Sequence, residues 1–311
     1  MVGLTGESSE SKIFIAYNGT PRSTKLARML GKYFGRDAIL RRVRKFPFRR
    51  PPRFRPGPSH FKSLLEVHRP LVLGSEICVQ GGYGTLGGFV RNNGTGETEI
   101  MSCQHVIADC RGHIGGFTVH QPSRRAADAP VASTLPCVAF LESGPNPADI
   151  AFGRLHEDNQ VAGNTVPRGM GFRFEDYSVT LPPDDFEIAA DAPVFKLGKS
   201  SGLTEGRVIA TRLSIDSYFK YRERWRTKRL RYNFMPTILI ESLSNEPFSR
   251  VGDSGGLVFC ESSNAKELYA IAMVSGSTPP TFMDDGSKRL TRYTWACEVG
   301  QALRNAGRSW L

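Results

Sequence analysis

The sequence has no apolar run approaching the about 18 residues that a membrane-spanning helix needs. It has no CxxC pair, no His/Cys spacing of the zinc-site kind and no internal repeat, and the turn after the first strand, at Asn18-Gly19, lacks a P-loop or GxGxxG pattern. Those absences argue against structural zinc, nucleotide cofactors and solenoids, so neither a metal nor a cofactor is expected. The six cysteines, at 78, 103, 110, 137, 260 and 297, stand far apart. The first ten residues show neither a basic n-region nor an apolar h-region. Free buried thiols in a cytoplasmic, intracellular protein are therefore the expectation, rather than a disulfide framework. Long helical periodicity is also scarce after Pro70.

Charge is present but unevenly placed. Of 41 Lys and Arg in the 311 residues, 16 fall within residues 1–70, together with only 4 of the 30 Asp and Glu. The formal charge of +11 thus belongs to this segment, and the remainder is close to neutral. Within the segment, Ser11–Tyr17 reads as a strand. Pro21 then opens a helical pattern carrying Leu26, Met29, Leu30, Tyr33 and Phe34. Residues 41–58 interleave arginine, phenylalanine and proline, which suits an extended arm. Two readings stay open for that arm: a binding segment for nucleic acid, an anionic membrane or an acidic partner, or a linker whose Phe46, Phe48 and Phe54 pack onto the next domain.

From residue 71 the texture is short strand-like runs punctuated by glycine, including Gly84–Val90, Thr98–Ser102, Val194–Leu197 and Leu268–Val274. Residues 293–303 read as a strand leading into a terminal helix. The fold class expected is all-β, as a barrel or sandwich. Residues 218–232 carry a second basic cluster, which reads as a β-hairpin with aromatics on one face and arginines on the other. It offers the same acidic-partner or nucleic-acid surface as residues 41–58, or no special function at all.

The chemistry centres on Gly252-Asp253-Ser254-Gly255-Gly256. A serine between glycines on a tight loop can present its hydroxyl while neighbouring backbone N–H groups converge on one oxygen. Such a serine needs a base, and the base needs a carboxylate to hold its tautomer. His105 stands at the end of the apolar run Ile100–Ile107, whereas His60, His68, His113, His120 and His156 lack that frame. Asp149 opens the apolar strand Ile150–Phe152, where a buried acid demands a partner. Asp109 and Asp128 compete without that context.

In this order and with these motifs, His105, Asp149 and Ser254 resemble the chymotrypsin/trypsin-like serine endopeptidases over roughly residues 71–305, in their intracellular or bacterial flavour. The resemblance implies two antiparallel six-stranded β-barrels: residues 71–165 carrying His105 and Asp149, and residues 166–311 carrying Ser254 and a C-terminal helix. Residues 1–70 would precede them as a basic accessory region. It implies peptide-bond hydrolysis of a protein or peptide substrate through an acyl-enzyme, with the N–H groups of Gly252 and Ser254 as the oxyanion hole. Ser275 and Gly276 would wall the substrate pocket, with Phe248 and Ser249 at its floor. Phe248 stands where trypsin carries its floor aspartate, so a strict basic preference is not implied, although Asp284 and Asp285 offer another acidic lining. Val106 and Arg250 replace the disulfide cysteines of secreted members. Lys196 matches the internal basic residue that pairs, in bacterial relatives, with the aspartate preceding the serine, here Asp253. The rival reading is a protease-like scaffold serving as a binding module for nucleic acid or protein, and a third has residues 1–70 gating an active protease.

Overall fold

The computed structural model describes residues 2–5, 12–17, 28–29, 38–42, 64–79, 82–108, 116–122, 130–134, 148–169, 171–223, 226–264, 266–277, 281–282, 290–291 and 293–311. Outside these lie arm residues 43–58, most of the Pro21–Phe34 pattern, His60, His113, Asp109, Asp128, Asp284 and Asp285. The side chains of 216–236 are likewise outside the description.

Three strands come from the basic segment: β1 (Val2–Thr5), β2 (Lys12–Tyr17) and β3 (Ala38–Arg42). β2 coincides with the strand read at Ser11–Tyr17. It pairs antiparallel with β1 and parallel with β3.

The next strands build a barrel. They are β4 (Glu76–Val79), β5 (Gly82–Thr85), β6 (Gly88–Asn92), β7 (Thr98–Ser102), β8 (Thr118–Val119), β9 (Ala132–Thr134) and β10 (Ala151–Leu155). β7 lies between β6 and β10, and β10 pairs with β9, which pairs with β8. Past β8, His120 bridges Cys78 of β4, and β4 pairs with β5. β5 runs on into β6 through Leu86 and Gly87, so the pairings close an antiparallel barrel of six strands. Gly87 is required at that bend: a Cβ there would lie 2.4 Å from the Gly255 carbonyl oxygen. Ile77, Leu86, Phe89, Ile100, Met101, Val119 and Ala151 are all buried; burial alternates along β4 and β10, whereas β7 is buried on both faces from Glu99 to Ser102.

The rest of the chain forms a second sheet. Its strands are β11 (Ser178–Thr180), β12 (Pro193–Gly198), β13 (Gly202–Glu223), β14 (Arg226–Ser242), β15 (Leu257–Glu261) and β16 (Glu267–Ser277). A small pair, β17 (Thr281–Phe282) and β18 (Leu290–Thr291), precedes β19 (Tyr293–Glu298). The order is β12-β15-β16-β19-β14-β13, with β12 also paired to β13 and β11 parallel to β16. β1 extends this sheet beyond β13, placing Val2 opposite Ser214 and Leu4 opposite Thr211. The backbone of 218–232 is a hairpin, as read, closed by Glu223 opposite Arg226.

Two helices are short. α1 (Gln104–Ile107) follows β7, and α2 (Val299–Asn305) follows β19. After α2 the chain forms β20 (Arg308–Trp310), which returns to the first barrel and pairs with β6. There Arg308 reaches the buried Glu99 at 3.1 Å, and the Trp310 indole N–H donates to the Val179 carbonyl at 2.6 Å. One apolar cluster runs from Phe89 and Ile100 of the barrel into Phe195, Leu257, Phe259 and Met273 of the sheet. Burying each such side chain contributes about 1.5–3 kcal/mol, so the two halves share a core rather than merely touching. The residues singled out for chemistry sit along this shared seam.

Candidate active site

β7 ends at Ser102, and the chain turns at once into α1, whose second residue is His105. The ladder between β7 and β10 places Ala151 opposite Ser102. Continuing that antiparallel register past its last pair sets Asp149 beside residues 104 and 105. The side chains meet accordingly: His105 Nδ1 and Asp149 Oδ2 are 2.6 Å apart, and the His105 backbone N–H donates to Asp149 Oδ1 at 3.2 Å. Asp149 is fully buried, while the His105 side chain keeps 19% of its surface. The carboxylate therefore holds the ring through Nδ1.

Two thiols flank this acid. The Asp149 backbone N–H donates to Cys297 Sγ at 3.4 Å, and Ser275 Oγ contacts the same sulfur at 3.4 Å. Cys103 Sγ donates to the Val274 carbonyl at 3.0 Å. Burial first, and the Asp149 charge second, push both thiols up, Cys297 to about 12 and Cys103 well above the ordinary thiol value. They remain protonated. Donor atoms of Cys103, His105 and Asp149 lie within 4.8 Å of one another, a set that could interest a soft metal ion. However, two ligands on one tetrahedral zinc stand about 3.3 Å apart. The 2.6 Å between Nδ1 and Oδ2 is a hydrogen-bond separation instead.

The serine loop is assembled from the second sheet. Asp253, fully buried, accepts from the backbone N–H groups of Arg250 (2.8 Å), Ser200 (2.8 Å) and Ser201 (3.1 Å), and from the Ser201 hydroxyl. Lys196 Nζ completes the set at 3.0 Å, so the ion pair expected from the sequence is present. Burial lowers the Lys196 pKa and outweighs the opposing pull of Asp253. Its ammonium also donates to Ser201 Oγ and to the Gly202 carbonyl, so all three donors are used.

Backbone conformation decides what this loop can present. Gly252 and Gly255 have φ of 99° and 93°, the left-handed region that glycine adopts without strain. The N–H groups of Arg250, Asp253, Gly255 and Gly256 are all bonded within the protein. Those of Gly252 and Ser254 have no acceptor among the described residues. The Ser254 carbonyl accepts from the Thr85 N–H at 2.8 Å, tying the loop to β5. Gly84 marks how closely the halves approach here: a Cβ on it would lie 2.5 Å from Val106 Cγ1 and 2.9 Å from the Ser254 carbonyl oxygen. Ser254 and the residue following His105 thus flank one glycine.

The pocket residues are placed less uniformly. Ser249 bonds Thr294 through its hydroxyl at 2.7 Å, and Ser275 lies buried beside the two thiols. Gly276 is covered by the Trp295 indole, whose atoms come within 2.7 Å of where its Cβ would stand. Phe248, read from the sequence as a pocket-floor residue, is fully buried among Val208, Ile240 and Val258 inside the second sheet. It presents no surface to a ligand in this structure, because its ring fills the sheet interior. A separate cavity of about 600 Å³, lined by Arg69, Pro130, His156 and Asp158 among others, shares no residue with the site. Thr85 and Ser200 were not singled out from the sequence, and Cys103 and Cys297 were read there only as buried free thiols.

No protein-family model matches the sequence, and no curated protein does. Solved structures do. The chain is similar to a glutamic-acid-specific serine protease at 15% identity, over 78% of this chain and 100% of that one, with a TM-score of 0.51. It also aligns with Protease A of Thermobifida fusca (17% identity, 77% and 97% coverage, TM-score 0.49). A third match is the chymotrypsin of Cellulomonas bogoriensis (19% identity, 77% and 97% coverage, TM-score 0.47). The first of these likenesses shows a shared fold: the chain has the architecture of that serine protease. Among the described residues, no helix is long and apolar enough to cross a membrane.

Proposed function

We propose that the protein is a serine endopeptidase in which Ser254 attacks the peptide carbonyl, His105 takes and returns the proton, and Asp149 holds the His105 ring. The observation that carries this reading is the His105–Asp149 bond at 2.6 Å, with the acid fully buried and the ring partly open. A ring held through Nδ1 offers Nε2 to a hydroxyl, which is the arrangement a serine nucleophile requires. The N–H groups of Gly252 and Ser254, with no acceptor among the described residues, would receive the oxyanion of the tetrahedral intermediate. Collapse of that intermediate expels the amine, which takes the proton from His105, and water then releases the acyl group by the reverse sequence.

The ring of pairings from β12 through β15, β16, β19, β14 and β13 back to β12 supports reading the second sheet as a second six-stranded barrel. The internal Lys196–Asp253 pair supports a loop formed without any cleavage of the chain. Ser275 and Gly276 of β16, with Trp295 above Gly276, would wall the site that receives the substrate side chain. Protein or peptide substrates follow from the reaction. The test is covalent labelling by a fluorophosphonate probe: Ser254 is labelled, and His105→Ala abolishes labelling. Intact protein that never reacts would sink the reading.

A further inference from the structure

Arg250 to Asp253 form a four-residue turn, closed by the Asp253 N–H donating to the Arg250 carbonyl at 2.9 Å. Gly252 occupies its third position with φ of 99°, which makes it a type II turn. The same closing bond is compatible with a type I turn, in which the central peptide, Val251 to Gly252, is rotated by about half a revolution. Type I is the commoner form and needs no glycine. The two forms differ in one respect that matters here: they exchange the directions of the Val251 carbonyl and the Gly252 N–H. In a trans peptide these groups point opposite ways, so whatever fixes one fixes the other.

In this chain the carbonyl is fixed by one side chain. Ser200 Oγ donates to the Val251 carbonyl at 2.8 Å, from the turn between β12 and β13. Ser200 is buried, and its own N–H is held by Asp253, so the hydroxyl has little freedom to leave. A Cβ on Gly252 would lie 2.4 Å from that same oxygen, so the loop packs directly on it. The following carbonyl, of Gly252, accepts from Thr85 Oγ1 at 2.8 Å, and this hydroxyl in turn accepts from the Lys199 N–H at 3.1 Å. Two consecutive carbonyls are thus drawn into the protein by hydroxyls from its two halves.

We propose that Ser200 is a positioning residue for catalysis, selecting the type II turn and thereby directing the Gly252 N–H toward the substrate oxygen. The ion pair of Asp253 fixes where the loop lies. Ser200 fixes which way its central peptide faces. Without the hydroxyl, the Val251 carbonyl loses its buried donor and the type I form becomes accessible, placing a carbonyl oxygen where the oxyanion must bind. This rests on the protease reading above.

The experiment compares the full chain with Ser200→Ala and Ser200→Thr, using p-nitrophenyl acetate as acyl donor and phenylboronic acid as a tetrahedral probe. Loss of one oxyanion donor lowers turnover by about 100–1,000-fold, and partial occupancy of the correct turn moderates this. The expected result for Ser200→Ala is a kcat lowered about 10–100-fold, KM within about twofold, and a phenylboronic acid Ki raised in parallel with the loss of kcat. Ser200→Thr keeps the hydroxyl and retains kcat within about threefold. Thr85→Val, which frees the Gly252 carbonyl and the Lys199 N–H but leaves the Val251 carbonyl bonded, gives a smaller loss and stands in should Ser200→Ala fail to fold. A residue with a merely structural role would lower the melting temperature without separating kcat from KM. Ser200→Ala with unchanged kcat and Ki, or Ser200→Thr losing as much as Ser200→Ala, overturns the proposal. Absence of any acylation burst in the unsubstituted protein overturns the protease reading itself, and this proposal with it.

Discussion

Asp149 and Asp253 are both fully buried acids, yet the protein surrounds them in opposite ways. Asp253 receives three backbone N–H groups, a hydroxyl and the ammonium of Lys196. Its charge is matched inside the protein, and every oxygen lone pair has a fixed donor. Asp149 receives the His105 N–H and ring, with two protonated thiols close by and no Lys or Arg bonded to it among the described residues. Its charge is left to act on the imidazole opposite. Burial alone therefore does not set what an acid can do: two equally buried carboxylates differ in the full positive charges bonded to them.

The largest effect that would break this contrast is on Asp149. Asp149→Asn keeps the shape but loses the charge and favours the wrong ring tautomer, so kcat for ester hydrolysis should fall about 10⁴-fold while the protein stays folded by circular dichroism. Activity within tenfold of the parent would place Asp149 among the structural acids. Lys196→Met is the counterpart on the other side. It strands a buried carboxylate, and urea unfolding should show a loss of about 3–5 kcal/mol. An unchanged midpoint would mean that backbone N–H groups alone satisfy Asp253.

The smallest effect concerns the thiols. Cys297 ordinarily ionises near 9 and is raised to about 12 in the folded protein, first by burial and then by Asp149. Above pH 9 the unfolded chain therefore binds fewer protons than the folded one, and stability falls as pH rises toward 12. Cys297→Ala should flatten that decline in a series of urea midpoints. A slope unaffected by the substitution would show that neither burial nor the neighbouring carboxylate raises this thiol in the folded protein.

The residues of the candidate site stood out in the sequence where a residue type was out of place in its local pattern. A lysine within Val194–Leu197, an acid at the head of Ile150–Phe152 and a serine among four small or acidic neighbours each break an apolar or turn rhythm. The strands of the barrel were legible as short apolar runs punctuated by glycine. What the sequence did not carry are contacts between ordinary residues far apart in the chain. Thr85 meets Gly252 across 167 positions, and nothing local distinguishes that threonine from any other in a strand. Phe248 shows the converse: placed by its distance from Ser254, it read as a pocket residue, but its ring is taken up by the interior of the sheet. The attachment of β1 to β13 was equally invisible, since strand pairing partners leave no mark in either segment alone.

The return of β20 to the first barrel also sets an order of events during synthesis. Glu99 is buried in that barrel, and Arg308, which reaches it, lies 209 residues further along the chain. At a ribosomal rate of about 5–20 residues per second, the arginine emerges roughly ten to forty seconds after the acid it matches. For that interval the barrel carrying His105 and Asp149 holds a carboxylate without its cation. The barrel is thus completed by a residue made long after its own strands, and its buried acid waits on a segment that follows the whole second sheet.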